Sequence, residues 1–178
     1  MNYKEELIEI IKKDNFILDI LQTVKDLELN DCWIGAGLVR NKVWDVKHGI
    51  ARTELNDVDV IYYNSLNLSE SEDKEIEEKL KRIKPFVIWS VKNQARMHLR
   101  NNQSAYIDCE NAISFWPETA TSVAIRIGSN NEIGVIAPHG LDDLFNLIVK
   151  PTPNFDLKIY EKRIKEKQWG MIWKKLSY

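Results

Sequence analysis

Cysteine is scarce in this chain of 178 residues: there are two, Cys32 and Cys109, and they form no closely spaced metal-binding pair. This excludes a disulfide-rich scaffold and a zinc site built on cysteines, and it favours two buried thiols in a reducing compartment. No run of uncharged apolar residues approaches the length of a membrane span. The N-terminus is acidic where a secretory signal would be basic. We therefore expect a cytoplasmic protein with no membrane partner.

An excess of charge of one sign is also missing. Lysine and arginine total 25, aspartate and glutamate total 27, and the net charge is -2. Such a balance gives no general attraction to nucleic acid or to an anionic membrane, so any RNA contact would need a local patch. The length and the 44% apolar content indicate one domain with a real core. We divide it into N-terminal helices (1–29), a catalytic-type core (30–150) and a C-terminal helix and tail (151–178).

The pattern of apolar residues alternates between helical and strand periods along the chain. It predicts an α+β protein in which a mixed β-sheet carries helices on its faces. A capping box at Ser69 and Glu72 opens one charged, exposed helix, and the turn at 128–131 joins two strands in a hairpin. Helices are predicted at 3–13, 16–27, 38–46, 69–82, 92–100, 110–115, 141–149 and 156–169, and strands at 31–34, 58–63, 86–91, 122–127 and 132–136.

Two aspartates, Asp57 and Asp59, fall two positions apart at an apolar strand, so their side chains point the same way. Their separation along the strand is roughly 6–7 Å. At an effective dielectric constant of about 20, two negative charges at that distance repel by roughly 2–3 kcal/mol. Such a pair suits Mg²⁺ or Mn²⁺, which prefer oxygen ligands and neutralise charge during phosphoryl transfer. A strand end that merely carries two aspartates is the alternative.

A glycine turn, Gly35-Ala36-Gly37, precedes the aspartates and leads into a predicted helix. Gly35 and Gly37 allow backbone angles that other residues avoid, and they let helix amides approach a phosphate closely. Arg40 lies one turn into the helix, where it can add charge. The alternative is a tight strand-to-helix turn with a solvated arginine.

The order Trp33–Asn41 followed by Asn56–Ile61 resembles the head domain of tRNA CCA-adding enzymes and poly(A) polymerases, in the DNA polymerase β-like nucleotidyltransferase superfamily. The segment Ile136–Leu144 is similar to a further motif of those enzymes. Across roughly residues 30–173 the chain also resembles small bacterial proteins described only as nucleotidyltransferase-like, which share Asn93–His98 and Trp116–Thr121.

The resemblance implies a nucleotidyltransferase head fold with Asp57 and Asp59 as catalytic metal ligands. It implies that Gly35, Gly37 and Arg40 meet the triphosphate of a nucleoside triphosphate. We add Asn41, Arg96 and Glu118 as candidate nucleotide- or phosphate-binding residues, with Glu118 placed either at a ribose or as a third metal ligand. Three departures stand out. The strand ending at Val91 brings no third carboxylate, Trp116-Pro117-Glu118 replaces an Arg-Arg-Asp segment, and the helical neck, body and tail that hold tRNA have no counterpart here. These departures argue against tRNA CCA addition.

The leading hypothesis is a metal-dependent enzyme that transfers a nucleoside monophosphate to an unknown hydroxyl acceptor, either a small molecule or RNA. Two alternatives stay open: a non-catalytic nucleotide-binding or regulatory module, and a small-molecule adenylyltransferase. Arg96, His98 and Arg100 could form a basic lip on the helix at 92–100, or belong to a surface helix. Trp44 and Trp116 are candidates to stack on a base.

Overall fold

The computed structural model describes residues 2–101 and 103–178. The strands are β1 (Trp33–Gly35), β2 (Val58–Tyr62), β3 (Trp89–Asn93), β4 (Ala124–Ile127) and β5 (Ile133–Ile136). The α-helices are α1 (Tyr3–Lys12), α2 (Asn15–Lys25), α3 (Gly37–His48), α4 (Glu70–Ile83), α5 (Met97–Asn101), α6 (Cys109–Ile113), α7 (Asp142–Phe145) and α8 (Leu157–Lys167). Short 3₁₀ turns cover Gln94–Arg96 and Trp169–Met171. None of these helices combines the length and apolar character that a membrane crossing requires.

The five strands form one mixed sheet in the order β3-β2-β1-β4-β5. β2 and β3 are parallel, and the other neighbouring pairs are antiparallel. The predicted mixed sheet with flanking helices is therefore confirmed, as is the hairpin of β4 and β5. In this register Asp59 lies opposite Gly35 on one side and beside Ser90 on the other.

Side-chain caps explain where several helices begin. Asn2 and Glu5 form a reciprocal capping box at α1, and the Asp14 carboxylate accepts from two backbone amides at the start of α2. α3 differs from these because no side chain caps its first turn.

The main hydrophobic core draws on both ends of the chain. Leu7 of α1, Val60 of β2 and Trp173 near the C-terminus belong to one buried cluster. The rings of Tyr3 and Phe145 stack with centroids 4.7 Å apart. Both cysteines are free thiols; Cys109 is buried and Cys32 is partly buried.

Three predicted elements differ from the structure. The helix expected at 141–149 ends at Phe145, because Leu147 takes a left-handed φ of 62° and the Val149 amide donates to Ser177. The strand expected at 86–91 begins only at Trp89. The helix expected at 92–100 is replaced by the end of β3, a 3₁₀ turn and the short α5.

Candidate active site

The two aspartates of the motif come together in one cleft. Asp59 lies within β2, Asp57 lies just before it, and the alternate residues Val58 and Val60 are buried in the core. Both carboxylates line a cleft of about 170 Å³, which we call the central cleft. Its further lining residues include Gly37, Arg40, Asn41, Thr53, Thr121, Arg163, Lys167, Trp169 and Trp173.

The carboxylate pair is electrostatically unfavourable by itself. Burial, and after it the negative charge of Asp57, raise the pKa of Asp59 above its ordinary value, although the Ser90 side chain acts in the opposite direction. A cation near these oxygens would relieve both effects. The two ionised carboxylates are therefore more stable with a cation bound than without one.

The glycine turn works differently from the prediction. Neither Gly35 nor Gly37 has a positive φ; the unusual angle belongs to Ala36 between them, with φ of 51° and ψ of -119°. Gly35 is needed for close packing, because a Cβ there would lie 2.8 Å from Trp116 Cη2 and 3.3 Å from the Val123 carbonyl oxygen. Gly35 does not line the central cleft, whereas Gly37 does.

Ala36 sets the direction of α3. Its amide donates to the Val123 carbonyl, and the strained backbone turns the chain from β1 directly into the helix. The first amides of α3 have no intrahelical acceptor and no capping side chain, and Gly37 at this end lines the cleft. Together these features place an uncapped helix N-terminus, which favours anions, next to the carboxylates.

Arg40 lies in the central cleft but is held on several sides. Its Nη1 donates to Thr121 Oγ1 at 3.0 Å and its Nη2 to Asn41 Oδ1 at 2.8 Å, while its guanidinium lies 4.3 Å from the Trp169 ring centroid. Burial lowers the pKa of Arg40 to about 10, against the raising effect of the nearby carboxylates, chiefly Glu118. It therefore remains charged at neutral pH, with Asn41 fixing the direction of its guanidinium.

The C-terminal part of the chain adds cleft residues that the sequence interpretation missed. Arg163 and Lys167 of α8 line the cleft, as do Trp169 and Trp173. A sequence signal for the two basic residues exists, since a spacing of four places them on one face of the last helix. Nothing in the local sequence shows that this face returns to the glycine turn.

Glu118 stands behind the cleft and acts on it through Arg163. The Glu118 side chain is fully buried, and its Oε1 accepts from Arg163 Nε at 2.5 Å. Its Oε2 has no hydrogen-bond partner among the described residues. Glu118 does not line the central cleft, so its role in this structure is to position Arg163.

Arg96 is not brought to the central cleft. It is buried at the end of β3, where it forms an ion pair with Asp73 of α4 and lies 3.6 Å from Glu70. Arg96 is therefore not available to the expected basic lip, because its guanidinium pairs with Asp73 and connects α4 to the end of β3. Trp44 is fully buried against Trp169 and Trp173 and has no face open to a base, contrary to the stacking hypothesis.

One buried carboxylate fixes the loop and the tail that border the cleft. Asp45 accepts from the Thr53 amide at 2.8 Å, from the Thr53 hydroxyl at 2.6 Å and from Trp173 Nε1 at 2.8 Å. The loop before β2 and the C-terminal tail are therefore held by the same side chain of α3.

Glu54 also lines the cleft, but no third carboxylate of the described residues joins Asp57 and Asp59 in an arrangement that could hold a metal ion. Ser90 occupies the β3 position beside Asp59. Within 2–101 and 103–178, no group of three histidine, cysteine, aspartate or glutamate side chains is arranged to hold a metal ion. Any metal here would therefore depend on the two aspartates and on ligands brought by a substrate.

Comparisons with known proteins agree with this architecture. The family model described as nucleotidyltransferase matches residues 22–178. An NMR structure described as revealing a CCA-adding enzyme head domain is 31% identical with a TM-score of 0.86, over 97% of this chain and 93% of that one. A comparison with curated proteins finds no match.

Full-length CCA-adding enzymes share the fold at lower identity. The Thermotoga maritima enzyme complexed with tRNA is 15% identical with a TM-score of 0.57, over 94% of this chain and 40% of that one. A CCA-adding enzyme in complex with CTP is 15% identical with a TM-score of 0.58, over 93% of this chain and 40% of that one. The chain thus spans about 40% of the length of these two enzymes.

Proposed function

This chain belongs to the nucleotidyltransferase family, and we propose that it is a metal-dependent enzyme that transfers a nucleoside monophosphate from a nucleoside triphosphate to a hydroxyl acceptor, releasing pyrophosphate. One observation carries the proposal. The Asp57–Asp59 pair and three cationic side chains, Arg40, Arg163 and Lys167, line a single cleft.

The residues present fit a divalent cation. Asp57 and Asp59 offer hard oxygen ligands, and a cation would stabilise the ionised form of Asp59, whose pKa burial and the charge of Asp57 raise. Mg²⁺ is commonly bound by one or two carboxylates together with substrate phosphates, so two protein ligands suffice in the presence of a triphosphate. When bound, Mg²⁺ or Mn²⁺ would neutralise charge on the reacting phosphoryl group.

The protein groups that would hold the triphosphate surround the carboxylates. The free amides at the start of α3, beginning at Gly37, suit phosphate oxygens. Arg40 adds a positive charge whose position is fixed by hydrogen bonds to Asn41 and Thr121. Lys167 lines the same cleft and adds positive charge near Asp59, and Arg163, which pairs with Glu118, lines it as well.

The reaction requires little covalent chemistry from the protein. The acceptor oxygen attacks the α-phosphorus and forms a new O–P bond, while the bond from the α-phosphorus to the bridging oxygen of the β-phosphoryl group breaks. Pyrophosphate leaves with that electron pair, and the carboxylate pair takes the acceptor's proton. Catalysis then depends mainly on positioning and charge stabilisation.

A second candidate is a nucleotide-binding module without turnover. It is favoured by Ser90, which stands where a carboxylate beside Asp59 would complete a three-carboxylate cluster. Both candidates require nucleotide binding in the central cleft, and only transfer to an acceptor separates them.

The test is a calorimetric titration with each of the four ribonucleoside triphosphates, with and without Mg²⁺. We expect binding that requires the metal and is lost in the double variant Asp57→Asn, Asp59→Asn. A circular dichroism spectrum shows whether that variant keeps the fold. Equal affinity in the parent and in a folded double variant, or no binding of any nucleotide to the parent, would overturn the proposal.

A further inference from the structure

A second depression adjoins the central cleft and shares Asp57 with it. It encloses about 290 Å³, and we call it the apolar groove, defined by Phe16, Arg52, Glu54, Asp57, Phe86 and Ile88. Asp57 and Glu54 line both the groove and the central cleft. A molecule in the groove would therefore end at the same carboxylate that borders the proposed triphosphate site.

The groove contains apolar side chains that the fold does not use. Phe86 is 99% exposed and Ile88 is 65% exposed, because β3 begins only at Trp89 and leaves both residues outside the sheet. Removing such surface from water is favourable in proportion to its area. A ligand with an apolar face would provide the cover that the fold does not.

The charges of the groove differ from those of the central cleft. The guanidinium of Arg52 donates to Asp14 at 2.6 Å and lies 4.3 Å from the ring centroid of Phe16. Arg52 is thus paired with Asp14, a carboxylate that it shares with Lys42, and no other cation of the described residues lines the groove. Glu54 is exposed and Asp57 is partly exposed, so the remaining charge is negative.

We propose that the apolar groove binds the hydroxyl acceptor, and that the acceptor is a small molecule with an apolar or aromatic ring and a neutral or positive charge. A polynucleotide end is disfavoured, because its phosphates would meet two carboxylates, Glu54 and Asp57, and a single cation, Arg52, that already pairs with Asp14. With the ring against Phe86 and Ile88, the hydroxyl oxygen points toward Asp57 and attacks the α-phosphorus, with pyrophosphate leaving as described above. This inference rests on the proposed function.

Four probes separate the contributions of ring and charge. 2-Amino-1-phenylethanol has a ring, a hydroxyl and an ammonium group; 1-phenylethanol lacks the ammonium, 1-amino-2-propanol lacks the ring, and mandelate replaces the ammonium by a carboxylate. Saturation-transfer NMR on the full chain measures binding of each, with a short single-stranded RNA as a fifth probe. We expect the two uncharged or cationic phenyl compounds to bind, and mandelate, aminopropanol and RNA to bind at least tenfold more weakly.

The chain offers a matched control for the variants. Phe86→Ser and Ile88→Ser alter the groove, whereas Leu66→Ser alters an equally exposed residue, 97% accessible, that lines neither depression. Because all three side chains are exposed, the substitutions leave the core intact. We expect Phe86→Ser to weaken 2-amino-1-phenylethanol binding by about tenfold, a size in keeping with the loss of one aromatic contact, and Leu66→Ser to leave it unchanged.

Nucleotide titrations on the same variants keep the two proposals apart. Unchanged Mg²⁺-dependent nucleotide binding in Phe86→Ser, with probe binding lost, supports the acceptor groove. If nucleotides bind but the phenyl probes bind Phe86→Ser and the parent equally, or if RNA alone binds, the acceptor inference is overturned and the proposed function stands. If no nucleotide binds the parent, the proposed function fails, and the acceptor assignment fails with it.

Discussion

The Arg163 guanidinium of α8 donates to the buried carboxylate of Glu118, 45 positions earlier in the chain. Glu118 is fully buried and Arg163 keeps 30% of its side chain exposed. The pair joins the last helix to the segment before β4 and fixes Arg163 at the lining of the central cleft.

Removing Arg163 should affect stability and nucleotide affinity together. Arg163→Ala leaves Glu118 buried without its partner, and we expect the free energy of unfolding to fall by about 2 kcal/mol, below the range for wholly buried pairs because Arg163 is partly exposed. Urea denaturation measures this loss. Adding Glu118→Gln to Arg163→Ala should restore much of the stability without restoring nucleotide affinity. If the losses of unfolding free energy from Arg163→Ala and Glu118→Gln simply add in the double variant, the pairing is contradicted.

Asp59→Asn should make the fold more stable while it removes metal-dependent nucleotide binding. The pKa of Asp59 is raised in the folded protein, so its ionisation costs stability as the pH rises above the ordinary carboxyl pKa. At pH 7 without metal, we expect the variant to be more stable than the parent, because it removes the buried charge beside Asp57. Thermal denaturation in EDTA provides the measurement, and a loss of stability would contradict the electrostatic account.

The two glycines of the turn should respond differently to the same change. A Cβ at Gly35 would press on Trp116 and on backbone, so Gly35→Ala should cost about 1–3 kcal/mol of unfolding free energy. A Cβ at Gly37 would meet nothing closer than Arg40 Nη2 at 3.9 Å, and alanine reduces the freedom of the unfolded chain. We expect Gly37→Ala to change stability by less than about 0.5 kcal/mol, or to raise it. Chemical denaturation of both variants compares them directly; equal losses would show that the turn itself needs two glycines.

Ionised Asp14 should stabilise the fold at neutral pH, and this stabilisation should be lost in acid. Burial acts to raise its pKa, but hydrogen bonds and charge from Lys42, with the Ile17 amide and Arg52, hold the pKa below the ordinary value of 3.8. A lowered pKa contributes stability that is present above the ordinary value and is lost as the pH falls through the folded-state value. Asp14→Asn keeps an N-cap but loses the charge, so we expect about 2–3 kcal/mol less stability at pH 7.

The pH dependence is the control for this prediction. Denaturation at pH 7 and at pH 3 should show the parent losing its advantage over Asp14→Asn as acid is added. An advantage that is the same at both pH values would mean that packing, and not the charge of Asp14, holds Lys42 and Arg52 in place.

The sequence predicted the mixed sheet and the position of the Asp57–Asp59 strand well, because the apolar alternation around them is local. The sequence prediction was wrong where backbone groups form hydrogen bonds with segments that are distant in the sequence. The helix expected at 141–149 was too long because the Val149 amide pairs with Ser177 in the tail. That pairing has no local signal.

The candidate site was only partly predictable for the same reason. Asp57, Gly37 and Arg40 lie in one short stretch and reach the same cleft, whereas Arg163 and Trp169 arrive from more than 100 residues later in the chain. Arg96 looked suitable from its motif alone, but its contact with Asp73 becomes apparent only when α4 is placed beside β3.

The three hydrogen bonds accepted by Asp45 have a further consequence for motion. Since the loop at Thr53 and the tail at Trp173 share this acceptor, neither can detach without exposing a buried carboxylate. The rim of the cleft should therefore open as one cooperative unit. In amide hydrogen exchange, Thr53 and the segment around Trp173 would show the same opening free energy.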